Sequence, residues 1–317
     1  MRRLARWSFG IPALILLGSC ITPAESAPTP TPTSARARLA PPRAPAAPRE
    51  VPPVLPRRAP DRSGFSYAGS LMQGGVVIGT APAGTTLLLF NGATVPVAPD
   101  GLFVIGFDRD AGSVASLVAT LEDGREVRDT LTIAPRQWNI SRLDSLPKYP
   151  VPEPEMERLR PPELAQINAA RRLVTDAAGW RQPFLWPAIG RISTLFGSQR
   201  IYRNGEAGSY HSGLDVAVPQ GTPVLAPADG VVILAADHPF TLEGNLLMVD
   251  HGMGLNSAFL HLSRIVVHVG EHVRRGQTIA FSGMTGRATG PHLHWSLKWR
   301  EAKIDPLLVA GPMPHGG

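Results

Sequence analysis

Residues 290–295, Gly-Pro-His-Leu-His-Trp, decide how the C-terminal half of this 317-residue chain is interpreted. Alternate side chains of a β-strand share a face and lie about 7 Å apart, so His292 and His294 can both enter one cleft. Strand-like apolar runs separated by Gly, Pro and Asp extend on the N-terminal side of this segment, at 216–218, 231–234, 246–249, 257–260, 265–269 and 278–281. Because no long helical period interrupts them, residues 184–310 are predicted to form a mostly antiparallel β domain.

Two earlier segments add polar side chains of the same kind. Residues 210–215, Tyr-His-Ser-Gly-Leu-Asp, place His211 and Asp215 four positions apart, and residues 259–263 contain His261. In a straight strand, positions four apart are separated by about 13 Å, which is too far for two ligand bonds to one zinc ion. The chain is therefore expected to bend between them, and Gly213 permits such a bend.

The types of residue in these segments suit a catalytic metal centre. Two imidazoles and one carboxylate form a three-ligand set for zinc, with a fourth position open to water. Bound zinc lowers the pKa of water and polarises a carbonyl group. Two further histidines beside such a set would supply a general base and a group that stabilises the transition state.

These three segments resemble the lysostaphin/LytM-type zinc metallopeptidases, which cleave peptide bonds in bacterial peptidoglycan. The family pattern H-x-G-x-D stands at 211–215, H-L-S at 261–263 and G-P-H-L-H at 290–294. The resemblance covers about residues 184–310. It implies that His211, Asp215 and His294 bind one Zn²⁺ ion, and that His261 and His292 act on the water and the tetrahedral intermediate. It leaves open which of these two histidines is the base.

The charge of the chain is concentrated outside this region. The formal net charge is +6, but residues 1–62 hold ten Arg, no Lys and three acids, while the other 255 residues hold 21 bases and 22 acids. The part expected to fold is therefore nearly neutral, and a basic nucleic-acid-binding face is not indicated. A single cysteine also excludes a disulfide scaffold and any multi-cysteine metal site.

The N-terminus has the three parts of an export signal. Three arginines are followed by an apolar run at 7–17 and by Leu-Gly-Ser-Cys at 17–20. This run is shorter than a spanning helix, so residues 1–19 are predicted to be a signal peptide. Leu-Gly-Ser-Cys resembles the lipobox of bacterial lipoproteins, which implies cleavage before Cys20 and acylation of that residue. An ordinary signal peptide with an incidental cysteine is the alternative.

Three further segments separate Cys20 from the C-terminal domain. Residues 20–62 comprise this cysteine and a tether, because residues 21–62 hold twelve of the 33 prolines and are too poor in apolar surface to fold. Residues 63–145 are predicted to form a small β-sandwich-like domain, with a hairpin turn at Asn91-Gly92. Residues 146–183 are predicted to form a helical linker, with a helix over 162–178 that begins at Pro162 and stops at Gly179. One stripe of this helix is apolar and is expected to be buried: Leu164, Ile167, Ala170, Leu173 and Val174. Residues 311–317 are a short tail.

The sequence therefore predicts a mainly β protein that acts as a zinc endopeptidase on the peptide cross-links of peptidoglycan. A membrane is the expected partner through the lipid anchor, and the outer membrane of a Gram-negative periplasm is the expected location, because Ile21 is not the Asp associated with inner-membrane retention. The D-alanyl–diaminopimelate bond is the expected target, with a glycine bridge as the alternative. Two other functions stay open: a non-catalytic regulator that binds the wall or activates an amidase, and a structural envelope lipoprotein.

Overall fold

The computed structural model describes residues 63–143, 154–202, 205–236 and 238–314, with the side chains of residues 143, 155 and 156 excepted. The predicted signal peptide, Cys20 and the tether lie outside the described residues. Among the helices in these ranges, neither has the length and apolar character needed to cross a bilayer.

The N-terminal part contains two antiparallel sheets. Strands β1 to β7 span Ser66–Gly69, Val76–Thr80, Thr85–Phe90, Ala93–Val95, Leu102–Gly106, Val114–Leu121 and Glu126–Thr132. One sheet has the order β1-β2-β5 and the other β4-β3-β6-β7. The predicted hairpin turn joins β3 to β4, and both of its residues have positive φ, 48° for Asn91 and 82° for Gly92. This is the backbone that a two-residue hairpin turn requires.

The two sheets share a hydrophobic core, as expected for a sandwich. Val77 and Phe103 of the first sheet and Leu88 and Leu117 of the second are almost completely buried in the same cluster. The apolar alternation along each strand sends one set of side chains to this core. The small β-sandwich-like fold and the mainly β class are therefore confirmed.

The C-terminal part begins with a strand and a helix and then forms two antiparallel sheets. Its strands β8 to β20 span Ile140–Leu143, Arg191–Thr194, Gln199–Tyr202, Leu214–Ala217, Pro223–Leu225, Gly230–Ala235, Asn245–Asp250, Leu255–Leu262, Arg264–Ile265, His272–Val273, Thr278–Phe281, Leu293–Trp299 and Ala302–Ile304. Its helices are α1, Pro154–Arg171, and α2, Pro306–Ala310. A turn of 3₁₀ helix spans Gly179–Arg181.

The larger sheet has the order β17-β13-β14-β15-β19-β11-β9, with β20 paired to β19, and the smaller has the order β12-β18-β16. The larger sheet has two different faces. Its core face carries Trp295 and Phe259, which are fully buried in the main cluster. Its opposite face carries Met248 and Ala258, which pack with Ile167 of α1 in a second cluster. Since side chains alternate along β11 and β19, Asp215 and His294 belong to this second face.

Helix α1 differs from its predicted extent at both ends. It begins at Pro154 instead of Pro162, so Pro161 and Pro162 lie inside the helix. Proline in a helix interior removes a hydrogen bond and normally breaks the helix. Here the side chains flanking the prolines are fixed by tertiary contacts: Arg160 binds Glu243, and Glu163 accepts hydrogen bonds from the Thr241 amide and hydroxyl groups.

The predicted apolar stripe of α1 is only partly correct. Ile167 and Ala170 are buried against the sheet, but the helix ends at Arg171. Leu173 and Val174 therefore lie beyond it, and they are 51% and 95% exposed. The sequence pattern overestimated the C-terminal length because it assigned these two residues to the same buried face.

The N-terminal and C-terminal parts pack against each other. The Phe90 ring lies 5.7 Å from that of Trp299, and a Cβ atom on Gly106 would come within 2.9 Å of Trp299. Both parts thus contribute to one continuous hydrophobic cluster.

Candidate metal centre

Asp215 and His294 are brought together by strand register. They are direct cross-strand partners in the β11–β19 pair. Side chains at such positions share a face, and their Cβ atoms lie about 5 Å apart. His294 Nδ1 consequently lies 2.8 Å from Asp215 Oδ1.

His211 reaches the same point because the chain bends ahead of β11. His211 Nε2 lies 3.1 Å from Asp215 Oδ1 and 3.0 Å from His294 Nδ1, which confirms the expected bend. Gly213 is needed here for space: a Cβ atom on it would lie 2.5 Å from the Trp295 carbonyl oxygen and 2.7 Å from His294 Nε2. Any side chain at position 213 would therefore displace the His294 ring.

His261 enters the site through a β-bulge. The register between β14 and β15 shifts between Asn245, which pairs with Leu262, and Leu247, which pairs with Phe259. One extra residue is accommodated in β15, and His261 adopts a left-handed backbone with φ of 62°. A bulge of this kind re-aims a side chain. It turns the imidazole of His261 towards that of His292, and the two ring centroids are 4.8 Å apart.

Three of the rings are oriented by backbone carbonyl groups. His211 Nδ1 lies 3.2 Å from the Leu195 carbonyl oxygen, His261 Nδ1 lies 2.8 Å from that of Thr285, and His292 Nδ1 lies 2.8 Å from that of Gly290. A carbonyl oxygen only accepts, so each Nδ1 carries the proton and donates it. In the neutral form of each ring, Nε2 then carries the lone pair, which is available to a cation or a proton.

Burial and mutual contact set the charges of the site. Burial opposes ionisation of Asp215, but its contacts with His211 and His294 outweigh this effect and hold the pKa of the carboxyl group well below its usual range. Burial lowers the pKa of His261 to about 4 and also lowers the pKa of His294. At neutral pH the Asp215 carboxylate is therefore ionised, and the imidazoles of His261 and His294 are neutral. An ionised carboxylate and a neutral imidazole are the states in which Asp215 and His294 can bind a metal ion.

The donor set fits a tetrahedral metal ion. Donor atoms of His211, Asp215 and His294 form a triangle with sides of 2.8–3.1 Å. Tetrahedral zinc ligands with bonds of about 2.0–2.1 Å lie about 3.3 Å apart, so small shifts would suffice. Among the described residues, this is the only group of three or more His, Cys, Asp or Glu side chains with converging donor atoms.

All five sequence-predicted residues in the described ranges thus meet in one place. The residues that support them were not predictable from the sequence, chiefly Thr285, Leu195 and Glu243. Glu243 accepts a hydrogen bond at its carbonyl from the His261 amide, and its carboxylate accepts two from Arg160 of α1. No sequence signal marks such contacts, because they depend on backbone carbonyls and on long-range packing.

The fold and the site define the class of this protein. It has an antiparallel β domain that carries a candidate metal centre of two histidines and one carboxylate. Comparison with known proteins gives the family. Residues 209–306 match the model of peptidase family M23. A crystal structure from Pseudomonas aeruginosa named for peptidase M23 has 30% sequence identity and a TM-score of 0.57, over 76% of this chain and 94% of that one. The chain belongs to peptidase family M23, and its fold is LytM-like.

Two relatives from Vibrio cholerae serotype O1 are peptidoglycan DD-endopeptidases by name. ShyA is 42% identical over 123 residues, which is 39% of this chain and 28% of ShyA. ShyB is 43% identical over 103 residues, which is 32% of this chain and 24% of ShyB. The aligned region thus spans only about a quarter of each relative.

Proposed function

We propose that this protein is a zinc-dependent endopeptidase that hydrolyses peptide cross-links in bacterial peptidoglycan. The convergence of His211, Asp215 and His294 donor atoms within 3.1 Å of one another is the observation that carries the proposal. Membership of family M23 and the names of ShyA and ShyB support the substrate class. The D-alanyl–diaminopimelate cross-link is the proposed bond, since both relatives are named as DD-endopeptidases.

His211 through Nε2, His294 through Nδ1 and Asp215 through Oδ1 would hold the zinc ion. When bound, zinc supplies a lowered pKa for water and polarisation of the scissile carbonyl group. Asp215 adds the negative charge that a divalent cation favours. The Leu195 carbonyl group fixes the ring of His211, a kind of support on which metal affinity commonly depends.

His261 and His292 would handle the protons of the reaction. Their ring centroids are 4.8 Å apart, each ring donates through Nδ1 to a backbone carbonyl group, and His292 Nε2 lies 3.8 Å from Asp215 Oδ1. Amide hydrolysis needs one group to accept the proton of the attacking water and one to stabilise the developing oxyanion. The accepted proton then passes to the nitrogen of the leaving amine. Two neighbouring imidazoles meet both requirements.

The test combines zinc content with digestion of purified peptidoglycan sacculi by the full chain. The wild type is expected to bind one zinc ion and to release cross-link cleavage products identifiable by mass spectrometry. The variants His211→Ala and Asp215→Ala are expected to lose both properties. His268→Ala removes an exposed histidine from a turn and is the matched control, with both properties intact.

Three results would contradict the proposal. Full activity of His211→Ala would exclude the metal mechanism. A wild type that releases nothing from sacculi, with or without zinc, but stimulates a partner hydrolase would identify the domain as a non-catalytic regulator. A wild type without metal and insensitive to histidine substitution would indicate a structural lipoprotein.

We also propose that the protein is exported and anchored through Cys20 to the outer membrane. The three arginines, the apolar run at 7–17 and the Leu-Gly-Ser-Cys ending support this location. Acyl chains bind membranes with about 0.8 kcal/mol per buried methylene, so several chains anchor stably. Labelled palmitate should be incorporated by the wild type and not by Cys20→Ser. Equal labelling of both proteins would contradict the anchor.

A further inference from the structure

The N-terminal part reaches the metal centre through the turn that follows β5. Asp108 and Arg109 lie in this turn. Tyr210, the residue before His211, donates a hydrogen bond from its hydroxyl to Asp108 Oδ1 at 2.9 Å. The guanidinium carbon of Arg109 lies 4.8 Å from the centroid of the Tyr210 ring. Tyr210 is thus held at its hydroxyl and at its ring face by the N-terminal part.

Arg109 also holds the loop at residues 195–199. Its Nε donates to the Gly197 carbonyl oxygen and its Nη2 donates to Gln199 Oε1, both at 3.0 Å. Its side chain is only 7% exposed although it carries a full charge. A planar guanidinium with several directed hydrogen bonds has little freedom to move, and the carbonyl group that it binds is correspondingly fixed.

The same loop holds His211 from the other side. The Gly197 amide donates to the His211 carbonyl oxygen at 2.9 Å. The His211 amide in turn donates to the Ser198 carbonyl oxygen at 2.8 Å. In the ring of His211, Nδ1 lies 3.2 Å from the Leu195 carbonyl oxygen. Main chain and side chain of His211 are therefore both fixed by the loop on which Arg109 acts.

We infer that Arg109 and Asp108 are positioning residues for His211, so that the N-terminal part supports the metal centre. This inference rests on the proposed role of His211 as a metal ligand. Groups that orient a metal ligand typically change metal affinity or activity by about 10- to 100-fold when they are lost. A purely structural contact between the two parts would change stability and leave metal affinity unaltered.

The variant that separates these roles is Arg109→Lys, with Arg181→Lys as its matched control. Lysine keeps the positive charge but lacks the forked donors that bind Gly197 and Gln199. Arg181 also links the two parts, by two hydrogen bonds to Asp100 at 2.7 and 3.1 Å. Those bonds reach neither Tyr210 nor the 195–199 loop. Tyr210→Phe is the second variant, because it deletes only the hydroxyl bound to Asp108.

The full chain is titrated with zinc in competition with a chromogenic chelator, and thermal unfolding and hydrolysis of sacculi are followed in parallel. Arg109→Lys is expected to weaken zinc binding by about 10- to 100-fold and to lower kcat with KM unchanged. Tyr210→Phe should weaken zinc binding by a smaller factor. Arg181→Lys should bind zinc as the wild type does, whatever its Tm.

Zinc affinity of Arg109→Lys and Tyr210→Phe equal to that of the wild type would overturn the inference. If Arg109→Lys does not fold, Tyr210→Phe decides alone. A wild type that binds zinc but cleaves no cross-link would disprove the proposed activity, while the affinity ranking would still decide the role of Arg109. A wild type that binds no zinc would disprove both.

Discussion

The hairpin of β14 and β15 carries a buried histidine at each end. The two residues differ in the hydrogen bonding of one ring nitrogen. His251 follows β14 at the turn, and His261 lies at the bulge near the far end of β15. Burial lowers the pKa of each imidazole to about 4. Each Nδ1 also donates to a backbone carbonyl oxygen, that of Asp229 for His251 and that of Thr285 for His261.

The difference lies at Nε2. In His251 this atom is 2.8 Å from Ser257 Oγ, which itself accepts a hydrogen bond from Trp295 Nε1. Within the described residues, no hydrogen bond reaches Nε2 of His261, which faces the site. A lowered histidine pKa therefore does not identify a functional residue in this fold, because burial produces it at both ends. The free nitrogen separates the two roles.

Replacement of His261 should have the largest effect on turnover. Asparagine is the substitution of choice, since it tolerates the left-handed backbone at φ 62°. We expect His261→Asn to lower kcat by about 10²- to 10⁴-fold, the usual contribution of a general acid or base. Zinc content should be unchanged, because His261 is outside the donor triangle. If His261→Asn turned over as fast as the wild type, the functional distinction between His261 and His251 would be contradicted.

Replacement of His251 should act on stability instead. His251→Ala deletes a buried imidazole and two buried hydrogen bonds: the Asp229 carbonyl oxygen loses this donor and the Ser257 hydroxyl loses this acceptor. We therefore expect a loss of about 3 kcal/mol in the free energy of unfolding. The measurement is urea denaturation, with kcat determined under conditions where the variant is folded. The turnover of folded molecules should match the wild type. A selective loss of kcat without loss of stability would contradict the structural role of this residue.

The pH dependence of stability follows from the same burial. The unfolded chain protonates His251 near pH 6.5, and the folded protein does so only near pH 4. Between these values the unfolded state binds more protons, so stability falls as the pH drops through this window, by at most about 3 kcal/mol. The stability difference between the wild type and His251→Ala should therefore shrink from pH 7 to pH 4.5. Chelator is added throughout, because metal binding has its own pH dependence. A constant difference would show that His251 protonates equally in both states.

Local chemistry explains which features were predictable from the sequence. The Asn91-Gly92 turn was predictable because its residue types favour positive φ. The site residues were predictable because their spacing and their resemblance to a family agree. The bulge at His261 was not, since a histidine with φ of 62° gives no local signal and depends on the pairing of β14 with β15. The start of α1 was missed for the same reason: contacts from Arg160 and Glu163 compensate for Pro161 and Pro162, and those contacts are distant in sequence.

The smallest effects on turnover and stability are expected when the hydroxyl groups of Thr285 and Ser257 are removed, which support His261 and His251. Thr285 Oγ1 donates to the Leu262 carbonyl oxygen and accepts from the Asn245 amide, both at 2.9 Å, and so fixes the carbonyl group that orients His261. At the other end, the Ser257 hydroxyl supports His251 directly, because Ser257 Oγ lies 2.8 Å from His251 Nε2. Thr285→Val should lower kcat by about 10-fold, or about 1.4 kcal/mol, with KM unchanged and with recovery in Thr285→Ser.

Ser257→Ala is the matched control for this last comparison. It should cost about 1–2 kcal/mol in unfolding free energy, because His251 Nε2 and Trp295 Nε1 lose their partner, and it should leave kcat unaltered. If both variants lowered kcat by the same factor, orientation at His261 would have no special role, and the loss would reflect a general loosening of the hairpin. Recovery in Thr285→Ser together with unaltered turnover in Ser257→Ala would place the functional demand at one end of the hairpin only.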